Sequence, residues 1–473
     1  MEKLNPGLDA KSFRQQAHQF VDWMADYLEN VDQYPVKSQV APRDIFDQIP
    51  EHAPNEAESM EAIFKDFESI IMPGITHWQS PGFFAYFPAN SSYPSVLAEM
   101  LTATLGAQCM SWDTSPAAAE LEERMMDWLK AACGFPTSWT GVIQDTASTA
   151  TLAAILSARE RASSWNINLE GLQASPRYRI YASAETHSSI EKAIKIAGLG
   201  ATNFVKVPVN DRFELDVEAL ANLVQKDREA GYTPLCVVAT LGTTGVTAMD
   251  PVEAMAEFCE KEKLWLHIDA AYAGTALALP EYQHLVSGIE KADSLVFNPH
   301  KWMFTNFDCT AYFVKDAATL VRTFEILPEY LKTKARGVNH YRDWGIPLGR
   351  RFRALKLWFV LRSYGLDGLR ARLRDHISYA TWLEGQVVAD DRFEMLAPRT
   401  LTLVCFRYFE PNKTEDELDE MNATLLEQLN ASGKLYLTHT KVKGKYCLRV
   451  VTSGVHMQLS HIESAWKSIT SHL

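Results

Sequence analysis

The stretch DSLVFNPHKWMF, residues 293–304, joins an apolar run, Ser294-Leu295-Val296-Phe297, to Asn298, Pro299, His300 and Lys301. A short run without polar alternation reads as a strand buried on both faces, the kind that fills a parallel sheet. Its neighbours repeat the texture. TGVIQ (140–144), YRIYAS (178–183), PLCVVATLG (234–242), LWLHID (264–269) and CTAYFV (309–314) alternate with helical segments, which predicts an α/β domain whose mostly parallel sheet is covered by helices.

Upstream, Phe13, Ala17, Phe20, Val21, Met24, Tyr27 and Leu28 keep a helical period. That helix packs either on the core or on a second subunit. The prolines at 35, 42, 50 and 54 predict an extended connection after it. Beyond about residue 370 the pattern mixes TLTLVCFRYF, a helix through EDELDEMNATLLEQLN, then YCLRVVTSG and HIESAWKSI, which predicts a smaller α+β domain.

With 473 residues, 47% of them hydrophobic, the chain is long enough for more than one structural region. A net charge of -13 argues against nucleic acid and against anionic membrane surfaces, both of which favour clustered Lys and Arg. Seven cysteines fall in no metal-binding spacing, so no metal site is expected and a reducing, cytoplasmic setting is. No apolar run suggests a signal core or a membrane span. Small molecules and other protein chains are the expected partners.

Ligands of open α/β sheets bind at the carboxyl ends of the strands. Four such ends carry polar groups. Thr146-Ala147-Ser148 opens a helix, where backbone N–H groups and the helix dipole favour a phosphate. Asp269 ends LWLHID, His187 follows YRIYAS, and Lys301 follows SLVFNP. Taken singly, each has a plainer reading: a helix cap, a structural ion pair, a capping or core histidine, and a lysine snorkelling to water. Together they meet the needs of pyridoxal phosphate: a phosphate anchor, a carboxylate for the ring nitrogen, a flat neighbour for the ring and an amine for the aldehyde.

The motifs FNPHKW, HIDAAYAG, ATLGTTG, ETHSSIEKA and THWQSPGFFAYFP resemble the group II pyridoxal-phosphate-dependent decarboxylases, in particular the aromatic-L-amino-acid decarboxylases, and the likeness runs nearly the length of the chain. The resemblance implies a fold-type I large domain at 89–370, an N-terminal helical dimerisation segment at 1–88 and a small α+β domain at 371–473. It implies that Lys301 is the Schiff-base lysine, that Asp269 bonds the pyridine nitrogen and that His187 stacks on the ring. Ala147 and Ser148 would hold the phosphate, and Thr244, Asn298 and His300 would complete the cofactor site. A catalytic tyrosine falls on Tyr330, and substrate contacts fall on Trp78, Tyr86, Phe87, Pro88, Met110, Leu348 and Gly349, some of them given across a homodimer interface.

Ala89, Met110 and Gln79 depart from the animal aromatic-decarboxylase pattern, which expects threonine, phenylalanine and histidine there. The stretch 76–93 is rich in aromatics and has no Lys or Arg, so an aromatic amino acid suits it better than an acidic one. The expected reaction is therefore decarboxylation of tryptophan, phenylalanine, tyrosine or a hydroxylated relative. The alternatives are a decarboxylase of histidine or an acidic amino acid, an aromatic aldehyde synthase, and an inactive cofactor-binding regulator. Intact Tyr330 and His187 favour simple decarboxylation.

Overall fold

A computed structural model describes residues 8–173, 175–326 and 337–473. Its centre is a seven-stranded sheet: β1 (Thr140–Gln144), β2 (Tyr178–Ser183), β3 (Phe204–Val207), β4 (Thr233–Thr240), β5 (Trp265–Asp269), β6 (Ser294–Phe297) and β7 (Thr310–Val314), in the order β1-β7-β6-β5-β4-β2-β3. The register pairs β2 with β3 and β4, β4 with β5, and β5 with β6 in parallel. Only β7 runs antiparallel, against both β1 and β6. The other six strands therefore deliver their carboxyl ends to one edge.

The reason for β6 is visible in its burial. Leu295, Val296 and Phe297 are all fully buried. Leu295 and Phe297 join one apolar cluster while Val296 joins another, because successive side chains of a strand leave opposite faces. Strand β3 is a correction to the sequence reading, which did not include it. It lies at the sheet edge and is only partly buried, so its apolar signal is weak.

A second, antiparallel sheet holds β8 (Phe393–Met395), β9 (Leu403–Tyr408), β10 (Thr438–Val442) and β11 (Lys445–Val451), in the order β10-β11-β9-β8. Helices Glu415–Ala431 and Leu459–Ser471 accompany it, the first started by a reciprocal Thr414–Glu417 capping box. The two regions are joined by a long helical stretch, Arg353–Ala389, whose backbone leaves helical geometry at Gly365 (φ 63°). The boundary expected at 370 thus lies inside this stretch, past its break.

The N-terminal helix, Ala10–Glu29, is capped by Asp9, whose carboxylate accepts from the Ser12 N–H at 2.7 Å. None of its residues is buried. The chain that follows does not stay apart from the C-terminal region. Phe84 donates its N–H to Tyr436 and accepts from the N–H of Val451, and its ring lies in the small-sheet core. Among the described residues, no helix is long and apolar enough to cross a membrane.

Candidate active site

The carboxyl edge of the large sheet encloses a cavity of about 270 Å³. All eight residues expected around the cofactor line it: Ala147, Ser148, His187, Thr244, Asp269, Asn298, His300 and Lys301. Phe87 joins them, as do Thr240, Gly242, Ala271, Tyr272 and Ser189, which the sequence reading did not assign. A larger cleft of about 500 Å³ at Phe213, Asp250, Tyr282 and Pro398 shares none of these residues.

Each side chain is placed by the element before it. Thr146 caps helix Ala147–Ala162 by accepting from the Thr149 N–H at 3.3 Å, which leaves the first-turn N–H groups of Ala147 and Ser148 outside the helix ladder and beside the cavity. Asn298 follows β6 at the N-cap position of a single helical turn, Pro299–Trp302, that puts Lys301 on the cavity wall. The Thr310 hydroxyl lies 2.8 Å from Asn298 Oδ1. His300 accepts the N–H of Cys309 at Nδ1 (3.0 Å). Burial, with Lys301 adding to it, pushes His300 down to about 3, so it is a neutral acceptor.

Asp269 is poorly compensated in the cavity. It is 4% exposed and accepts one hydrogen bond, from the Ala271 N–H at 3.0 Å. Among the described residues nothing bonds its second oxygen, and no Lys or Arg nitrogen lies within 4.0 Å of it. Burial raises its pKa, opposed by the charge of Lys301. A buried carboxylate so placed gains from a cation brought beside it. Lys301 is the mirror case: burial lowers its pKa and Asp269 opposes the shift. Its Nζ lies 5.6 Å from the centre of the Phe87 ring.

His187 precedes helix Ser188–Ile196. Its Nδ1 accepts the Ser189 N–H at 3.2 Å and lies 2.8 Å from the Ser189 hydroxyl. A backbone N–H can only donate, so Nδ1 is the bare nitrogen and Nε2 carries the proton. Burial lowers the His187 pKa, against the pull of Asp269.

The expected substrate residues divide. Phe87 lines the cavity and stacks on Tyr272. Trp78 and Tyr86 are stacked at 5.7 Å and partly exposed, and Tyr86 lines an adjoining cavity of about 650 Å³ that shares His187 and Thr244 with the first. Trp78, Pro88, Met110, Leu348 and Gly349 do not line the Lys301 cavity within one chain. The Met110 and Gly349 segments do lie together: the Arg342 N–H donates to Met110, the Cys109 N–H to Arg350, and the Arg350 N–H to the Gln108 side chain. Tyr330 lies outside the described residues.

Arg449 corrects one step of the sequence argument. No Lys or Arg occurs in 76–93, yet β11 brings the Arg449 guanidinium to 5.6 Å from the Phe87 ring. Its hydrogen bonds go to neutral oxygens, of Thr244, Gly245 and Thr438. Among the described residues no carboxylate pairs with it, so a buried positive charge lines the cavity that adjoins the Lys301 site.

A family model described as the pyridoxal-dependent decarboxylase conserved domain matches residues 42–409. The chain belongs to the pyridoxal-dependent decarboxylase family. It is 42% identical to tyrosine decarboxylase 1 of Narcissus pseudonarcissus, over 99% of this chain and 93% of that protein. It is also 42% identical to phenylacetaldehyde synthase of Petunia hybrida, over 98% and 95%. The crystal structure of Catharanthus roseus tryptophan decarboxylase in complex with L-tryptophan superposes with a TM-score of 0.93 at 40% identity, covering 98% of each chain. The fold is therefore that of the fold-type I decarboxylases, the cofactor is pyridoxal 5'-phosphate, and the protein is a carboxy-lyase. The chain has residues that fit each part of that cofactor: a helix N-terminus for a phosphate, an undercompensated buried carboxylate for a ring cation, and a buried lysine for an aldehyde.

Proposed function

We propose that this decarboxylase acts on aromatic L-amino acids and releases arylalkylamines and carbon dioxide. The observation that carries the reading is the aromatic wall beside Lys301, made of Phe87 in the cavity and the Trp78–Tyr86 stack next to it. Relatives named for tyrosine and tryptophan support it.

When bound, the cofactor supplies an electrophilic carbon and a cationic ring that accepts the electron pair left by carbon dioxide. The chain supplies the rest. Desolvation makes Lys301 a better nucleophile by favouring its neutral amine. Asp269 holds a proton on the ring nitrogen, because its buried charge otherwise lacks a partner. Neutral His187 presents a flat face and an Nε2–H. Arg449 attracts the carboxylate that every amino-acid substrate carries.

Two further readings go with this one. Leu97, Leu101 and Leu105 form an exposed i, i+4, i+8 stripe on helix Tyr93–Leu105, and with exposed Phe13 and Val21 of the first helix they support a homodimer whose partner covers these faces and completes the substrate pocket. Seven buried, unbridged cysteines support a cytoplasmic location.

Incubation with each natural amino acid, followed by mass spectrometry for amine and aldehyde, tests the proposal. Aromatic amines are expected. Glutamate turnover without aromatic turnover overturns the substrate assignment, and aldehyde in place of amine favours the synthase reading that the Petunia relative represents.

A further inference from the structure

Asn90 lies 211 residues from Lys301 in sequence and touches its backbone. Its side chain is buried, at 1% exposure. Nδ2 donates to the Lys301 carbonyl at 2.6 Å and to the Ser453 carbonyl at 3.0 Å, while Oδ1 accepts from the Val455 N–H at 2.7 Å. The Val455 N–H can only donate and the two carbonyls can only accept, so the amide has one allowed orientation. All three partners are main-chain groups. They belong to two separate regions, the helical turn after β6 and the segment after β11.

The loop that carries Asn90 is itself held. Gln79 donates from Nε2 to the Ala89 carbonyl (2.7 Å) and accepts the Ser91 N–H at Oε1 (2.9 Å), gripping the peptides on both sides of Asn90. The Ser92 hydroxyl donates to the Phe304 carbonyl at 2.7 Å. At the far end, Arg372 donates to the carbonyls of Val455 and Met457 at 2.8 and 3.1 Å. The small region is thus fixed to the lysine's backbone through one carboxamide with no spare hydrogen-bonding atom.

We propose that Asn90 is a positioning residue that couples the placement of the small C-terminal region to Lys301, fixing the backbone from which Nζ reaches the cofactor. The inference rests on the assignment of Lys301 as the cofactor lysine. Gln79 supports Asn90 by holding its loop. Neither residue touches the cavity.

The test uses holoenzyme loaded with pyridoxal 5'-phosphate. Asn90→Leu removes all three bonds at similar size, and Asn90→Asp keeps the Val455 bond while losing both donors. Absorbance of the bound cofactor is titrated with pH, and its release into excess competing aldehyde reagent is timed. In both variants the spectral midpoint is expected to move by about one pH unit and release to quicken about tenfold, the scale of one or two lost hydrogen bonds. A folded variant with wild-type titration and release overturns the proposal. If neither Asn90 variant folds, Gln79→Leu is expected to show the same changes, smaller in size, and its silence overturns the proposal equally. Borohydride reduction and peptide mapping of the wild type separate the two layers: no cofactor adduct on Lys301 would remove the lysine assignment itself.

Discussion

Phe87 lies flat against Tyr272, with ring centroids 4.0 Å apart and planes 23° from parallel. Tyr272 in turn stacks on Trp302 at 5.1 Å. Three rings from three distant stretches therefore form a pile beside Lys301, and Trp302 anchors it by donating Nε1 to His376 at 3.1 Å. The pile keeps water from one side of the lysine, which is why burial dominates the Lys301 environment.

Asp269→Asn keeps the shape of the site and removes its charge. With the ring nitrogen no longer held protonated, kcat is expected to fall about 100- to 1,000-fold. Steady-state kinetics at saturating cofactor check this, with the melting temperature as a control for folding.

Ser189→Ala removes the hydroxyl beside His187 Nδ1 and leaves the N–H bond in place. Donors at Nδ1 stabilise the neutral ring, so their loss raises the His187 pKa. The acid limb of the kcat pH profile should move up. An unmoved limb would show that this limb does not report His187.

Gly274 has no room for a side chain. A Cβ there would stand 2.3 Å from Phe297 Cβ and 2.8 Å from its Cγ. Gly274→Ala is expected to cost about 1–3 kcal/mol in urea unfolding, and to weaken cofactor binding in equilibrium dialysis, because Phe297 is on the strand that presents Lys301.

His267 is fully buried between the hydroxyls of Ser294 (2.9 Å) and Thr151 (3.2 Å), and burial lowers its pKa to about 3. The unfolded chain takes up this proton below about pH 6.5 and the folded chain does not. Its contribution to stability is therefore complete above that pH and is lost as pH falls toward the folded value. Between about pH 7 and about pH 5 the stability gap between wild type and His267→Gln should change by about 2 kcal/mol, to the disadvantage of the wild type. Urea unfolding at both pH values measures it.

The strands that carry chemistry were legible because they are buried on both faces. β1, β2, β5 and β6 each read as a short apolar run leading to a polar group. The edge strand β3 was not, since half of its surface meets water and its pattern resembles a loop. Tyr272 and Ser189 sit inside motifs read for their neighbours, Asp269 and His187, and only packing shows that they line the same cavity. Gln79 registered as a departure from a pattern; its two bonds around Asn90 explain its chemistry.

The sequence by itself determined the α/β class, the cofactor and the polar strand ends that meet in one cavity, because periodicity and strand-end chemistry are local properties written over a few residues. The tertiary structure alone decided that β7 runs against its neighbours, that Arg449 brings a buried cation to Phe87, and that Asn90 ties Lys301 to the segment at Ser453 and Val455. These depend on which distant backbones meet. That is settled by the burial of whole faces and by the need of every buried polar group for a partner, and no short stretch of sequence records either.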